Sequence, residues 1–187
     1  SSDLYSRSKY TLQVDQRLVL SKLTKLNPII INKRTNQMEL SDEIVINAPK
    51  DRVYAALNDP EILRLCIPGC EELIKHSDTE LEAKVVLKVG PVKARFNGDV
   101  QLITEGAPHK FSLTGQGNGG AAGYAKGGAD VTLTADGNKT ILRYEAKANI
   151  GGKLAQLGSR LIQSTAKKLA AKFFQTFADQ VSGEITH

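Results

Sequence analysis

Residues 81–150 alternate between apolar and polar side chains in five successive segments, and this pattern constrains the fold more than any other feature. In 92–102 every even-numbered residue is apolar or glycine and every odd-numbered residue is polar. The other segments follow the same rule with few exceptions; they are 81–89, 111–117, 125–135 and 140–150. Alternation with a period of two is typical of an antiparallel sheet with one solvated face and one covered face. The sequence therefore predicts a meander of antiparallel strands.

Helical segments are predicted on both sides of this meander. A first strand, 39–46, is followed by Pro49 and Pro60, which suit the first turns of two short helices. Residues 151–180 are predicted as one long helix because apolar residues recur at steps of three and four; they are Leu154, Leu157, Leu161, Ile162, Leu169, Phe173 and Phe177. We therefore expect an α+β fold in which a curved antiparallel sheet wraps around this helix and leaves an internal space.

A glycine-rich connection contains Gly115, Gly117 and Gly120 in the spacing G-x-G-x-x-G. That spacing binds a dinucleotide phosphate where the glycines leave a strand and open a helix. Here a second alternating segment follows the glycines instead of a helix, which favours a β-hairpin. We expect these glycines to permit a bulge, a twist or a close backbone approach.

The net charge of +5 resides in the first part of the chain. Residues 1–37 contain seven Lys and Arg against two Asp, whereas 38–187 contain eighteen charges of each sign. We assign 1–37 to a basic N-terminal extension, either upstream of a native start at Met38 or a basic arm that contacts acidic lipid or a partner. We assign 38–180 to one domain and 181–187 to a C-terminal tail. Because the domain is neutral, no nucleic-acid partner is predicted.

A few features of the sequence indicate the cellular location of the protein and its reactive groups. No apolar run approaches the roughly 18 residues of a membrane span, and no secretory signal is recognisable, so a cytoplasmic location is predicted. Cys66 and Cys70 do not form a disulfide framework, and with His76 they provide too few ligands for zinc. Small apolar side chains in a loop are the simpler interpretation of these cysteines; a redox or gating role is the alternative. His76 and His109 have no nucleophile beside them, so we predict no catalytic residue and no metal site.

Small residues are expected on both sides of the space between helix and sheet. Gly158 and Thr165 interrupt the apolar stripe of the helix, and Ala and Gly recur at inward strand positions. Because protein interiors are otherwise densely filled, this pattern favours a cavity; close packing of helix and sheet is the alternative. The expected lining is apolar, with hydroxyls only on two tyrosines: Leu57, Ile67, Leu87, Phe96, Phe111, Leu113, Tyr124, Leu133, Tyr144, Leu154, Leu157, Gly158 and Leu161.

Basic residues form a second stripe on the predicted helix. Lys153, Arg160 and Lys167 are seven residues apart, with Lys168 and Lys172 nearby. A solvated face is the simpler interpretation of this stripe. Contact with anionic lipid or an acidic enzyme surface is the alternative.

Three stretches carry a resemblance to a known family: 66–73 (CIPGCEEL), 89–96 (VGPVKARF) and 151–162 (GGKLAQLGSRLI). Together with the glycine-rich hairpin they resemble the CoxG family of carbon monoxide dehydrogenase subunits. That family is part of the START/Bet v 1-like superfamily, whose fold is the helix grip. The resemblance covers about 38–180 and therefore implies a helix-grip fold for the predicted domain.

The resemblance also implies a function. Family members are accessory to aerobic carbon monoxide dehydrogenase and related molybdenum hydroxylases, and they are associated with recruiting the enzyme to the cytoplasmic membrane. A quinone of the menaquinone or ubiquinone type, or another isoprenoid lipid, is the implied cavity ligand. We expect a non-catalytic ligand-binding accessory protein with peripheral contact to the membrane. The alternatives are a docking adaptor with a filled core and a cavity enzyme of the cyclase or hydrolase kind.

Overall fold

The computed structural model describes residues 36–182. The predicted extension 1–37, apart from its last two residues, and the predicted tail 181–187, apart from its first two, lie outside the described residues. Within the described part, seven strands and three α-helices follow one another along the chain: β1 (Asn36–Ile46), α1 (Lys50–Leu57), α2 (Pro60–Cys66), β2 (Cys70–Lys75), β3 (Glu80–Val89), β4 (Val92–Ile103), β5 (Lys110–Asn118), β6 (Tyr124–Asp136), β7 (Lys139–Gly151) and α3 (Ser159–Ser182).

The strands form a single antiparallel sheet in the order β1-β7-β6-β5-β4-β3-β2. Along β4 half-buried and exposed residues alternate without a break, as the period-two pattern predicts. The glycine-rich connection joins β5 to β6 through a short 3-10 helix, Gly120–Ala122. Gly115 and Gly117 on β5 pair with Gly127 and Ala125 on β6. The predicted antiparallel meander and β-hairpin are therefore confirmed.

The two short helices after β1 are also confirmed, and local sequence explains their limits. Pro49 precedes α1, and Pro60 occupies the first turn of α2. Asp59 caps α2 because its carboxylate accepts hydrogen bonds from the backbone N–H groups of Glu61 and Ile62. Both helices lie on the inner side of the sheet, where their apolar residues join the core.

The long helix begins later than predicted. Gly151 is the last residue of β7, Leu154–Leu157 form a 3-10 helix, and Gly158 has a φ of +88°. That left-handed conformation is costly for residues other than glycine, and it separates the 3-10 helix from α3. The prediction of one helix over 151–180 is therefore wrong in its first two turns. Gly158 precedes α3 instead of interrupting it.

The core is filled at one end of the helix. Phe177 is fully buried and packs in a cluster with residues from β1, α1, β6 and β7, among them Ile46, Val53 and Leu133. Thr140 is the buried polar residue of the described chain, and its hydroxyl donates to the backbone oxygen of Ala48 at 2.7 Å. A smaller cluster surrounds the 3-10 helix Leu154–Leu157. Between the two clusters the space under α3 is not filled.

Candidate ligand cavity

Two adjoining apolar compartments lie between the inner face of the sheet and the helices α2 and α3. One has a volume of about 290 Å³ and the other of about 540 Å³. Four residues line both compartments: Ile67, Ala83, Val100 and Phe173. The expected internal space between sheet and helix is therefore present, and it extends along α3.

The smaller compartment, called here the aromatic compartment, is bordered by a group of rings. Tyr144 stacks on Phe174 with 5.1 Å between ring centroids, and Phe173 meets Phe174 edge-on at 5.0 Å. Phe111, two strands from Tyr144 on the same face of the sheet, also borders this compartment. The complete lining is Leu57, Leu63, Ile67, Leu73, Leu81, Ala83, Val100, Leu102, Phe111, Leu113, Ala129, Val131, Leu142, Tyr144, Phe173 and Phe174.

The larger compartment, called here the aliphatic compartment, lies under the first half of α3. Thr165, Ala166 and Ala170 give this part of the helix a wall of small side chains. The complete lining is Met38, Ile67, Pro68, Ala83, Val85, Leu87, Val89, Phe96, Gly98, Val100, Gly117, Ala125, Ala148, Ile150, Leu154, Ile162, Thr165, Ala166, Leu169, Ala170 and Phe173.

Small residues on the sheet explain why this space stays open. Gly98, Gly117, Ala125 and Ala148 come from four strands and together form the floor of the aliphatic compartment. A Cβ placed on Gly117 would have no atom within 4 Å. Because these floor residues and the helix residues Thr165, Ala166 and Ala170 all carry short side chains, they cannot interdigitate as the residues of a filled core do.

Polar groups are scarce in this lining. Among the lining residues that the structure describes, the side-chain oxygen and nitrogen atoms are the hydroxyls of Tyr144 and Thr165. Tyr144 is 9% exposed, and within the described chain no residue hydrogen-bonds to its hydroxyl. Burial raises the pKa of this hydroxyl, and the carboxylate of Asp42, opposite Tyr144 on β1, raises it further. The Tyr144 hydroxyl is therefore protonated at neutral pH and can donate a hydrogen bond.

Eight of the residues predicted to line a cavity do so. Five of them border the aromatic compartment: Leu57, Ile67, Phe111, Leu113 and Tyr144. Leu87, Phe96 and Leu154 border the aliphatic compartment, to which Ile67 also contributes. Most of these residues lie on strands, where the alternation of inward and outward side chains predicted their positions correctly.

The other five lie elsewhere. Tyr124 is 44% exposed on the outer face of β6, and Leu133 is 1% exposed within the filled core. Leu157 packs in the smaller cluster, and the Leu161 side chain lies against the β3–β4 turn, where a Cβ on Gly90 would come within 2.8 Å of it. Gly158 forms the break before α3. Leu157, Gly158 and Leu161 were predicted as lining because the helix was begun too early, and Tyr124 because it was assigned to the wrong face. Leu133 does point inward, but into the filled part of the core.

The sequence interpretation missed most of the helix wall of the cavity. Leu169 and Phe173 belong to the apolar stripe of the helix but were not assigned to the lining, and Ala166, Ala170 and Phe174 were not singled out. Their positions on α3 show that they lie on the side facing the sheet. Helical spacing from Ile162 onward is the signal that could have found them.

The predicted basic stripe is divided by the break before α3. Lys153 precedes the 3-10 helix, so it does not belong to the same helix as Arg160 and Lys167. Arg160, Lys167, Lys168 and Lys172 are all exposed on α3, and 159–178 contain no Asp or Glu. None of the four forms an ion pair with another described residue. We call these four residues the basic face of α3.

The cysteines lie outside the cavity lining. Cys66 is 1% exposed, and burial raises the pKa of its thiol to about 11. Cys70 is half-buried, and its Sγ donates to the backbone oxygen of Glu72 at 3.4 Å. Both thiols are free and separate from the compartments, so neither has direct access to a bound ligand.

His76 and His109 lie at the surface. Nε2 of His76 is 2.9 Å from a carboxylate oxygen of Glu82, and Nδ1 of His109 is 2.8 Å from Nζ of Lys50. Across 36–182 no group of three or more His, Cys, Asp and Glu residues could hold a metal ion. In the same range no helix is both long and apolar enough to cross a bilayer.

A family model of CoxG, a carbon monoxide dehydrogenase subunit, matches residues 43–182. The chain belongs to the CoxG family. The family resemblance of the sequence motifs is thereby confirmed. No curated protein sequence matches the chain.

Solved structures confirm the helix-grip fold. A conserved protein from Geobacillus kaustophilus has a TM-score of 0.72 at 26% identity, over 78% of this chain and 95% of that one. The Zhui aromatase/cyclase from Streptomyces sp. R1128 has a TM-score of 0.58 at 11% identity, over 81% and 97%. Norcoclaurine synthase from Thalictrum flavum has a TM-score of 0.53 at 15% identity, over 84% and 94%. The last two likenesses concern the fold alone.

The motifs that resemble the CoxG family meet in space. Ile67 and Pro68 come from the first motif, Val89 and Phe96 from the second, and Leu154 from the third. All five line the aliphatic compartment. In this member of the CoxG family, motifs that are far apart in the sequence therefore converge on one binding space.

Proposed function

We propose that this protein is a non-catalytic accessory protein of an aerobic carbon monoxide dehydrogenase or a related molybdenum hydroxylase. Its cavity binds a quinone of the menaquinone or ubiquinone type, or another isoprenoid lipid. The observation that carries the proposal is the two-part apolar cavity in a member of the CoxG family. Binding of such a lipid would link the enzyme to the respiratory chain at the cytoplasmic membrane.

The size and polarity of the cavity support a hydrophobic ligand. Ligand pockets usually have volumes of about 300–1,000 Å³ and a mostly apolar lining with few polar groups. The two compartments, about 290 and 540 Å³, fall in this range together, and the Tyr144 and Thr165 hydroxyls are their few polar groups. A charged or sugar-like ligand would lose its hydration in such a space without compensating hydrogen bonds.

A binding role also fits the lining better than catalysis does. General acid–base chemistry needs a titratable group within reach of the substrate. Among the lining residues that the structure describes, Tyr144 is the titratable one, because the side chains of Cys66, Cys70, His76 and His109 lie elsewhere. The likeness to a cyclase and a synthase therefore supports the shared fold and gives no reason to assign their chemistry here.

The basic face of α3 supports peripheral contact with an acidic surface. Exposed Lys and Arg residues on a helix face are attracted to anionic lipid, at about 1 kcal/mol for each residue near the surface. We propose that Arg160, Lys167, Lys168 and Lys172 contact the anionic cytoplasmic leaflet. A docking adaptor without a ligand shares this feature, so a measurement of ligand binding is needed to distinguish the two functions.

Extraction and titration test the ligand. Organic extracts of the purified protein are compared by mass spectrometry with those of an unrelated protein from the same host, and a stoichiometric isoprenoid quinone is expected. Ala166→Phe, which fills the aliphatic compartment, should weaken binding of an added short-chain menaquinone at least tenfold. Ala171→Phe is the matched control because Ala171 is exposed on the same helix. Equal affinity of both variants, or no quinone binding by the wild type, would contradict the carrier function.

Flotation with vesicles tests the membrane contact. Charge reversal at Arg160 and Lys167 should abolish binding to phosphatidylglycerol vesicles, and 0.5 M salt should weaken binding of the wild type because it screens exposed charges. Charge reversal at the exposed Lys139, at the β6–β7 turn, is the control. Binding that responds to neither salt nor charge reversal would exclude the basic face as the contact.

A further inference from the structure

We propose that the two compartments bind different parts of one ligand in a fixed orientation. A flat, oxygen-bearing ring occupies the aromatic compartment, and a hydrocarbon chain occupies the aliphatic compartment. The hydroxyl of Tyr144 donates a hydrogen bond to a ring oxygen, so Tyr144 determines specificity for the ring. The inference rests on the proposed function, because it assumes that the cavity binds a ligand. What it adds is the orientation of that ligand.

The walls of the aromatic compartment suit a planar ring. Phe111, Tyr144, Phe173 and Phe174 all border it, and Tyr144 and Phe174 present stacked rings with an interplanar angle of 21°. Aromatic groups favour offset-stacked or edge-to-face contacts with other rings. A cavity of about 150 Å³ holds a benzene molecule, so about 290 Å³ has room for a two-ring group.

A single hydrogen-bond donor faces this ring site. Tyr144 is more than nine-tenths buried and lines the aromatic compartment, and its hydroxyl has no hydrogen-bond partner among the described residues. Within the described residues no fully buried side-chain oxygen or nitrogen lacks a partner, so the Tyr144 hydroxyl keeps accessible surface. A carbonyl or hydroxyl oxygen on the ligand could accept its hydrogen bond there. In the aliphatic compartment the corresponding polar group is the Thr165 hydroxyl, on a helix that offers it the backbone carbonyl four residues earlier.

The walls of the aliphatic compartment, in contrast to those of the aromatic compartment, suit a hydrocarbon chain. Apart from Phe96 and the shared Phe173, its wall side chains are aliphatic or small, and they follow α3 from Ile162 to Phe173. Eleven residue steps of helix at a rise of about 1.5 Å each give a length of about 17 Å. An extended chain running along α3 would therefore meet the ring site at Phe173, which lines both compartments.

Two probes separate the compartments. The ring probe is 2,3-dimethyl-1,4-naphthoquinone, whose substituted ring does not add the free thiols of Cys66 and Cys70, and the chain probe is farnesol. Binding of each to the full chain is measured by equilibrium dialysis, alone and with the other probe at saturation. We expect both probes to bind at the same time, because the compartments adjoin without coinciding.

Two variants assign the probes to their compartments. Tyr144→Phe should weaken binding of the ring probe about fivefold, the loss of one hydrogen bond, and leave binding of farnesol unchanged. Ala166→Phe should weaken binding of farnesol at least tenfold and leave the ring probe unchanged, because Ala166 lines only the aliphatic compartment. Thr165→Leu serves the same purpose should Ala166→Phe fail to fold, as judged by circular dichroism.

Each other outcome has a defined meaning. Loss of farnesol binding in Tyr144→Phe together with loss of ring binding in Ala166→Phe would reverse the orientation. Competition between the probes, or weakening of both by each variant, would show one undivided site. An unchanged affinity of Tyr144→Phe for the ring probe would exclude the hydrogen bond. All three results overturn this inference but leave a carrier in place, whereas a wild type that binds neither probe refutes the proposed function itself.

Discussion

Replacing Thr140 with valine is expected to destabilise the fold through a single lost hydrogen bond. Thr140 is fully buried near the start of β7, and its hydroxyl donates at 2.7 Å to the backbone oxygen of Ala48, which precedes α1. This bond fixes the chain just before the helix that supplies Leu57 to the aromatic compartment. Valine keeps the branched shape of threonine but has no donor.

The size of the effect follows from burial. Leaving a buried acceptor without its donor costs about 1–3 kcal/mol. For a domain of this size each 1 kcal/mol lowers the thermal midpoint by about 2–4 °C, so a decrease of about 2–12 °C is expected. Thr140→Ser keeps the hydroxyl and loses one methyl group, worth about 0.8 kcal/mol. The valine variant should therefore be the less stable of the two.

Urea unfolding followed by far-ultraviolet circular dichroism measures both variants. The urea concentration at the midpoint should be highest for the wild type, lower for Thr140→Ser and lowest for Thr140→Val. The slope of the unfolding free energy against urea concentration should be the same for all three. A valine variant as stable as the wild type, beside a destabilised serine variant, would refute the reasoning. Methyl packing and not the hydrogen bond would then hold this junction together.

Two further predictions concern backbone contacts and ionisation. Gly127→Ala should lower the unfolding free energy by more than about 2 kcal/mol because its Cβ would come within 1.9 Å of the Lys147 backbone oxygen, whereas Gly117→Ala should be neutral or stabilising by up to about 1 kcal/mol; urea unfolding compares them. Since the folded state raises the pKa of Cys66 to about 11 from 9.0, its contribution to stability is complete below pH 9 and is lost as the pH rises towards 11. Cys66→Ala should flatten the alkaline fall in thermal midpoint, and an unchanged fall would contradict this assignment.

The sheet could be predicted from the sequence because its physical cause is periodic. Each strand of the meander is solvated on one face, so residues such as Lys93, Arg95 and Asn97 mark that face directly. The same rule would have placed Tyr124 on the outer face, because it shares parity with the exposed Lys126. That error came from reading Tyr124 as a rare hydroxyl for the cavity without applying its parity.

The beginning of α3 could not be predicted from hydrophobic spacing. Leu154, Leu157 and Leu161 keep helical steps across the break at Gly158, because a 3-10 helix buries apolar residues at nearly the same spacing. Gly158 followed by Ser159 was the available signal, since glycine often ends a helical turn and serine often begins one.

The position of the cavity could not be predicted from hydrophobic periodicity. A period of two identifies Leu133 and Leu113 alike as inward residues, yet the first lies in the filled core and the second borders the aromatic compartment. The difference depends on which residues stand opposite across the layers, such as Phe177 near one end of α3 and Ala166 near the other. Small side chains in the sequence indicated that a space exists but did not locate it along the helix.

The floor of glycine and alanine also has a consequence for how ligand preference can change. Because the floor consists of glycine and alanine, every larger side chain there subtracts volume from the compartment. The helix wall is less constrained, since Ala166 and Ala170 project from α3 into open space. Chain-length selectivity would therefore be tuned by one or two alanines of α3, each added carbon shortening the tail that fits, while the sheet stays the same across ligands.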